Sequence, residues 1–131
     1  MSDRLQALLE TARRVRAEDA VASRAAYAEA ADLARADMRP DVLAHALRHL
    51  SDLDREARRN DAARMEADEA VALYRQSGGG LDLANALRLA ALARGGSETR
   101  LLWAEARDIY QAAGVDAGVA ECERQLASPS Q

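Results

Sequence analysis

One short word recurs three times along this chain, and its spacing restricts the folds open to it. Glu29-Ala30-Ala31-Asp32-Leu33-Ala34 aligns with Glu69-Ala70-Val71-Ala72-Leu73-Tyr74, and both align with Glu105-Ala106-Arg107-Asp108-Ile109-Tyr110, at offsets of 40 and 36 residues. A second block, Ala44-His45-Ala46-Leu47-Arg48, matches Ala84-Asn85-Ala86-Leu87-Arg88, again 40 residues on. Two blocks that share one offset mark a repeated unit. Units of this length hold two helices each, and they stack because one unit cannot bury its apolar face alone.

Composition decides what the units are made of. The chain has 32 Ala and 17 Leu against 6 Val, 1 Ile and no Phe. Strong helix formers dominate, and the β-branched and aromatic residues that fill strands are scarce. The fold class expected is all-α. Leu5, Leu8, Leu9, Ala12 and Val15 share a helical face, as do Leu43, Leu47, Leu50 and Leu53, then Leu83, Leu87 and Ala90, then Val119, Cys122 and Leu126. With breaks at Pro40, Gly78-Gly79-Gly80, Gly95-Gly96 and Gly114, the pattern predicts helices over about 3–16, 19–37, 41–57, 61–77, 82–94, 98–113 and 116–127. Paired, they give units over about 3–37, 41–77 and 82–113, with 116–127 as a capping helix. All belong to a single domain over 1–127, and 128–131 is a frayed tail. Glu121, Glu123, Arg124 and Gln125 are expected on the polar outer face of the cap. Ser97 is the expected N-cap before Glu98. Asp41, Asp82 and Asp116 suit the positive ends of their helices, and Gly114 suits a left-handed helix end.

Charge and chemistry exclude several functions. The net charge is −4 and evenly spread, without the basic patch of a nucleic-acid binder. No apolar run has the length of a membrane span, so no membrane role is expected. All 18 basic residues are Arg. This removes the phosphate-binding, Schiff-base and kinase lysines together, and the chain is expected not to be an enzyme. The lone Cys122 cannot form an internal disulfide, and a reducing, cytoplasmic address is expected. On the face of Val119 and Leu126 it reads as a buried thiol without reactivity. Gly78–Gly80 follows a helix and lacks a following Gly-Lys-Ser/Thr, so it reads as a connector and not a phosphate loop. No cofactor motif is present.

His45 and His49 stand four apart on one helix face, with Asp41 a turn before and Asp52 three residues after. Imidazole and carboxylate at this spacing could converge on a divalent metal. The competing reading is a His pair that binds no metal and gains positive charge as pH falls toward about 6.5. No metal site is assigned.

The chain resembles the tetratricopeptide repeat family, in a variant with longer units. Leu43-Ala-His-Ala-Leu-Arg-His-Leu50 and Leu83-Ala-Asn-Ala-Leu-Arg88 match the first helix of a repeat. Glu69-Ala-Val-Ala-Leu-Tyr74 and Glu105-Ala-Arg-Asp-Ile-Tyr110 match the second. The usual glycine of the turn between paired helices is missing near Arg59-Asn60. The resemblance implies a right-handed superhelical stack of three antiparallel hairpins plus the capping helix, with first helices lining a concave groove. Carried over, the groove positions are His45, Arg48, His49, Asp52, Arg55 and Glu56 in the second unit, and Asn85, Arg88 and Leu92 in the third. Asn85 resembles the Asn that contacts peptide backbone in the family's peptide-binding members. The resemblance implies a scaffold that binds a protein or peptide partner. Arg48 and Arg88, in equivalent places, favour an acidic or C-terminal segment that accepts bidentate hydrogen bonds. The alternative expectation is a self-associating homo-oligomer. Trp103, Tyr74 and Tyr110 are expected in packing positions of second helices, while Tyr27 does not align with the other tyrosines.

Overall fold

The computed structural model describes residues 2–128, and the rest of the expected tail, 129–131, lies outside them. Seven α-helices follow one another: α1 Asp3–Val15, α2 Ala20–Ala36, α3 Pro40–Glu56, α4 Asn60–Gln76, α5 Leu81–Arg94, α6 Arg100–Ala113 and α7 Asp116–Ala127. A 3-10 turn, Ser97–Thr99, precedes α6, and the described residues contain no strand. The helices therefore stand where apolar periodicity and glycine punctuation put them, within two residues at each end.

The helix ends follow local chemistry. Ser2 accepts from the Leu5 amide at 3.1 Å, and Asp19 accepts from the Ala22 amide at 3.0 Å, so α1 and α2 carry side-chain caps. Pro40 opens α3, where its missing N–H costs nothing. Asp41, Asp82 and Asp116 sit in first turns and act on the helix dipole without capping. Ser97 is not the cap of α6. It opens the 3-10 turn, and the hydroxyl of Thr99 bonds back to the Gly96 carbonyl at 2.7 Å.

Four helices close in the same way. The amides of Arg39, Arg59, Gly79 and Val115 reach back to the carbonyls of Ala34, Asp54, Tyr74 and Tyr110, at 2.8 to 2.9 Å. This closure needs a left-handed residue just before the donor. Gly78 and Gly114 supply it at two ends, while Met38 (φ 53°) and Arg58 (φ 63°) supply it at the others. The glycine missing near Arg59-Asn60 is thus replaced by Arg58, held in a conformation that costs an L-residue about 1–2 kcal/mol.

Each helix packs on the next, and α3 also packs on α5. Ala30, Ala46, Ala63, Ala67, Ala70, Ala84, Ala86 and Ala106 are wholly inaccessible, which lets backbones approach closely, while leucines fill the remaining space. One core runs through the stack from Leu5 to Cys122. Buried hydroxyls tie hairpins together: Ser23 on α2 donates to the Ala12 carbonyl of α1, and Ser51 on α3 donates to that of Ala63 on α4, both at 2.7 Å. Tyr74, Trp103 and Tyr110 are buried as expected, and Tyr27 is buried with them.

Arginine–carboxylate pairs stitch alternate helices. On the even-numbered side, Arg35 of α2 grips Glu69 of α4 with both terminal nitrogens, at 2.7 and 3.1 Å. Arg75 of α4 grips Glu105 of α6 identically, at 2.6 and 2.7 Å. Glu69 and Glu105 are the repeated acids of the sequence word, and its first member, Glu29, pairs with Arg4 of α1. On the odd-numbered side, Arg16, just past α1, reaches Asp52 of α3 at 2.8 Å, Arg48 of α3 faces Asp82 of α5 at 3.5 Å, and Arg88 of α5 meets Glu121 of α7 at 2.5 Å. Glu121 is therefore not part of the outer face of α7: its carboxylate turns inward, while Glu123, Arg124 and Gln125 stay exposed.

Candidate binding face of the odd-numbered helices

Two adjacent depressions mark the odd-numbered side. One, of about 210 Å³, is lined by Arg48, His49, Asp52, Asn85, Arg88 and Leu89. The other, of about 330 Å³, is lined by Gln6, Leu9, Glu10, Arg13, Tyr27, His45 and His49. His49 belongs to both and forms the ridge between them. Five of the nine expected groove residues meet in the first depression, His45 lines the second, and Glu56 and Leu92 line neither. Arg55 lines neither and instead holds Asp52 at 2.5 Å from its own helix. The equivalence of Arg48 and Arg88 places both guanidiniums in one wall, because residues 40 apart return to the same face of successive first helices.

The donors of this wall are unevenly committed. Arg88 is engaged by Glu121, which also raises its pKa, while Arg48 has only the longer contact to Asp82. Asp52 accepts from Arg16 and Arg55 on either side. Each of those arginines keeps one buried N–H without a partner, Nη1 of Arg16 and Nε of Arg55. Tyr110 Oη donates to Asn85 Oδ1 at 2.6 Å. That bond fixes the amide of Asn85 and leaves its NH2 donors for the depression it lines.

The second depression has an aromatic wall. The Tyr27 and His49 rings stack with centroids 4.7 Å apart and planes 4° from parallel, and His45 meets His49 edge-on at 4.7 Å. Burial, with His45, Arg48 and Arg16 adding repulsion, pushes His49 down to about 4. His45 is lowered too, by burial first and Arg48 second. The expectation that this pair gains charge near its ordinary pKa is therefore corrected: both are shifted below it, because the charged form would lose water and face arginines. The carboxylates that might have completed a metal site are engaged elsewhere, Asp41 with Arg39 and Asp52 with Arg16 and Arg55. Among the described residues no group of three or more His, Cys, Asp or Glu side chains is placed to hold a metal ion.

No protein-family model matches the chain, nor does any curated protein or solved structure. The site must be read from its own geometry.

Sequence reasoning missed the α1 wall, although Gln6, Glu10 and Arg13 recur at four and three residues and could have signalled a second polar face. Nothing in the sequence signalled Tyr27 as a stacking partner of His49, or Tyr110 as the residue that orients Asn85. Both act from other helices. Cys122 is wholly buried, and burial raises its thiol above the ordinary value, in keeping with an unreactive side chain. Among the described residues no helix is long and apolar enough to cross a membrane.

Proposed function

We propose that this chain is a non-enzymatic interaction scaffold, and that its odd-numbered helices form a shallow groove for a peptide or partner segment. The reading includes the tetratricopeptide-like, right-handed superhelix that the repeat resemblance implies, with α1, α3 and α5 on the concave side. One observation carries it: Arg48, Asn85 and Arg88 line one depression, where Arg48 has only a 3.5 Å contact to Asp82 and the Asn85 oxygen is held by Tyr110, which leaves its amide donors for a ligand. A ligand rich in acceptors, such as an acidic or C-terminal peptide segment, would use them. Its neighbouring residues would lie along Tyr27, His45 and His49. A cytoplasmic site of action is part of the proposal and rests on the lone, buried thiol.

The test is selection from a random peptide library displayed with free C-termini, followed by binding of the selected peptides to the wild type and to an Arg48→Gln/Arg88→Gln variant of equal helicity. Acidic or C-terminal sequences that lose tenfold or more in affinity for the variant support the proposal. Selected peptides that bind both proteins equally refute the groove.

A second reading, self-association, is favoured by Met65 and Leu101, which are 73% and 84% exposed and occupy the same register of α4 and α6, 36 residues apart. Light scattering decides it, because a mass of one chain at all concentrations removes it.

A further inference from the structure

Where α2, α3 and α4 meet, two carboxyl groups share one environment. Asp54 of α3 is wholly inaccessible. Arg24 of α2 binds it through Nε at 2.6 Å and Nη2 at 3.1 Å, and Arg59, in the turn to α4, adds Nε at 2.8 Å. Glu66 of α4 approaches the same Arg24 guanidinium. Its Oε2 is 3.9 Å from Arg24 Nη2, beyond hydrogen-bond reach, and its Oε1 is buried with no partner. Two carboxyl groups crowded on one guanidinium, one wholly inaccessible and the other with an orphaned buried oxygen, favour retention of one proton, because Arg24 and Arg59 both bind Asp54.

We infer that Asp54 and Glu66 form a proton-dependent latch between the two helices of the second unit, α3 and α4, beside Arg24 of the first, closed while the pair holds one proton and loosened when that proton leaves. In the closed state the Glu66 hydroxyl donates to the Asp54 carboxylate. Loss of the proton replaces this donor with a second buried anion that repels the first. Glu66 also lines a groove of about 350 Å³ between α2 and α4, with Arg24, Ala28, Met65 and Glu69 among its walls, which is a route for proton exchange with water.

The surrounding charges do not compensate. On α2, Arg24 serves Asp54, Arg35 serves Glu69, and Asp32 is exposed. Helix α5 packs on α4 through Leu89 and Ala90 against Ala67. Its charged residues, Asp82, Arg88 and Arg94, pair with Arg48, Glu121 and Asp68. Burial first, and Asp54 second, accordingly push Glu66 up to about 8, whereas Asp54 is held low by Arg24, Glu66 and Arg59 against the opposing effect of burial.

The sign follows from linkage. The folded chain keeps the Glu66 proton where an unfolded chain has already lost it, so stability is fully present below the ordinary value of 4.5 and is lost as pH rises through about 8. The lowered histidines act below 6.5, and the raised Cys122 acts above 9.0. A window from pH ~6.5 to ~8.5 therefore separates the latch from these side chains, and Glu66→Gln subtracts the α-amino group, which also titrates there.

The experiment is thermal unfolding of the whole chain across that window, for the wild type and for Glu66→Gln, whose amide keeps a donor but cannot ionise. The wild-type midpoint should fall as pH rises, and the Glu66→Gln midpoint should stay level and exceed it at the alkaline end. A 13C NMR titration of the wild-type Glu66 carboxyl, which needs no variant to fold, should show its inflection well above the ordinary glutamate range. Parallel slopes for the two proteins, or an inflection at the ordinary value, would overturn the latch.

Discussion

Gly118 lies against the ring of Tyr110 so closely that a Cβ at this position would stand 2.5 Å from the Tyr110 Cγ. The glycine sits inside α7, where its helix propensity is about 1 kcal/mol worse than that of alanine. Its presence there is a packing requirement. It lets α7 settle onto a tyrosine whose hydroxyl, on the far end of the ring, orients Asn85 in the wall of the first depression.

Gly118→Ala should therefore destabilise the protein, against its propensity. The overpacked contact should cost about 1–3 kcal/mol, read as a lower urea midpoint. The reverse change at the exposed Ala120, Ala120→Gly, should cost only about 1 kcal/mol, the propensity difference alone.

Arg58→Gly should raise stability. Arg58 holds a φ of 63° at the end of α3, a conformation that glycine adopts without a Cβ penalty. Its side chain is exposed and little packing is lost. The gain expected is about 0.5–1 kcal/mol after the greater freedom of glycine in the unfolded chain is subtracted. A higher melting temperature with an unchanged far-UV spectrum is the readout.

Asp54→Ala should be far more damaging than a typical surface change. It leaves Arg24 and Arg59 without their buried acceptor and Glu66 without its partner. A loss of about 3 kcal/mol or more is expected. Ser51→Ala should cost less, about 0.5–1.5 kcal/mol, because the Ala63 carbonyl it abandons lies in a helix and keeps its backbone partner. Denaturant titrations of the two variants side by side test the order.

His49 makes the chain sensitive to acid. Its folded pKa is lowered to about 4 from 6.5, so the unfolded chain binds a proton first as pH falls. Stability from this group is present above 6.5 and is lost on acidification toward 4, opposite in sign to Glu66. His49→Phe, which keeps a ring on Tyr27, should show a smaller loss of melting temperature between pH 7 and ~4.5 than the wild type. Equal losses would mean that the ring titrates freely.

Much of the architecture was legible because it depends on local rules. Leucines at steps of three and four set the helix faces, glycines and Pro40 set the breaks, and the acids repeated at Glu29, Glu69 and Glu105 all fall on even-numbered helices. Even the even-side ion pairs were latent in the sequence, since Arg35 and Arg75 recur 40 residues apart, in step with Glu69 and Glu105 at 36. Glu121 was misplaced because a helical wheel says which residues are polar, not which of them finds a cation on the neighbouring helix.

The positions of the helices and the return of Arg48 and Arg88 to one face follow from the sequence, because periodicity acts within a few residues of each side chain. Tertiary structure alone decided that His49 stacks on Tyr27 and stays neutral, that Tyr110 orients Asn85 over Gly118, and that Asp54 and Glu66 share a proton. Each of these depends on burial and on a partner in another helix. Desolvation and close charge–charge contact exist only after the helices have packed.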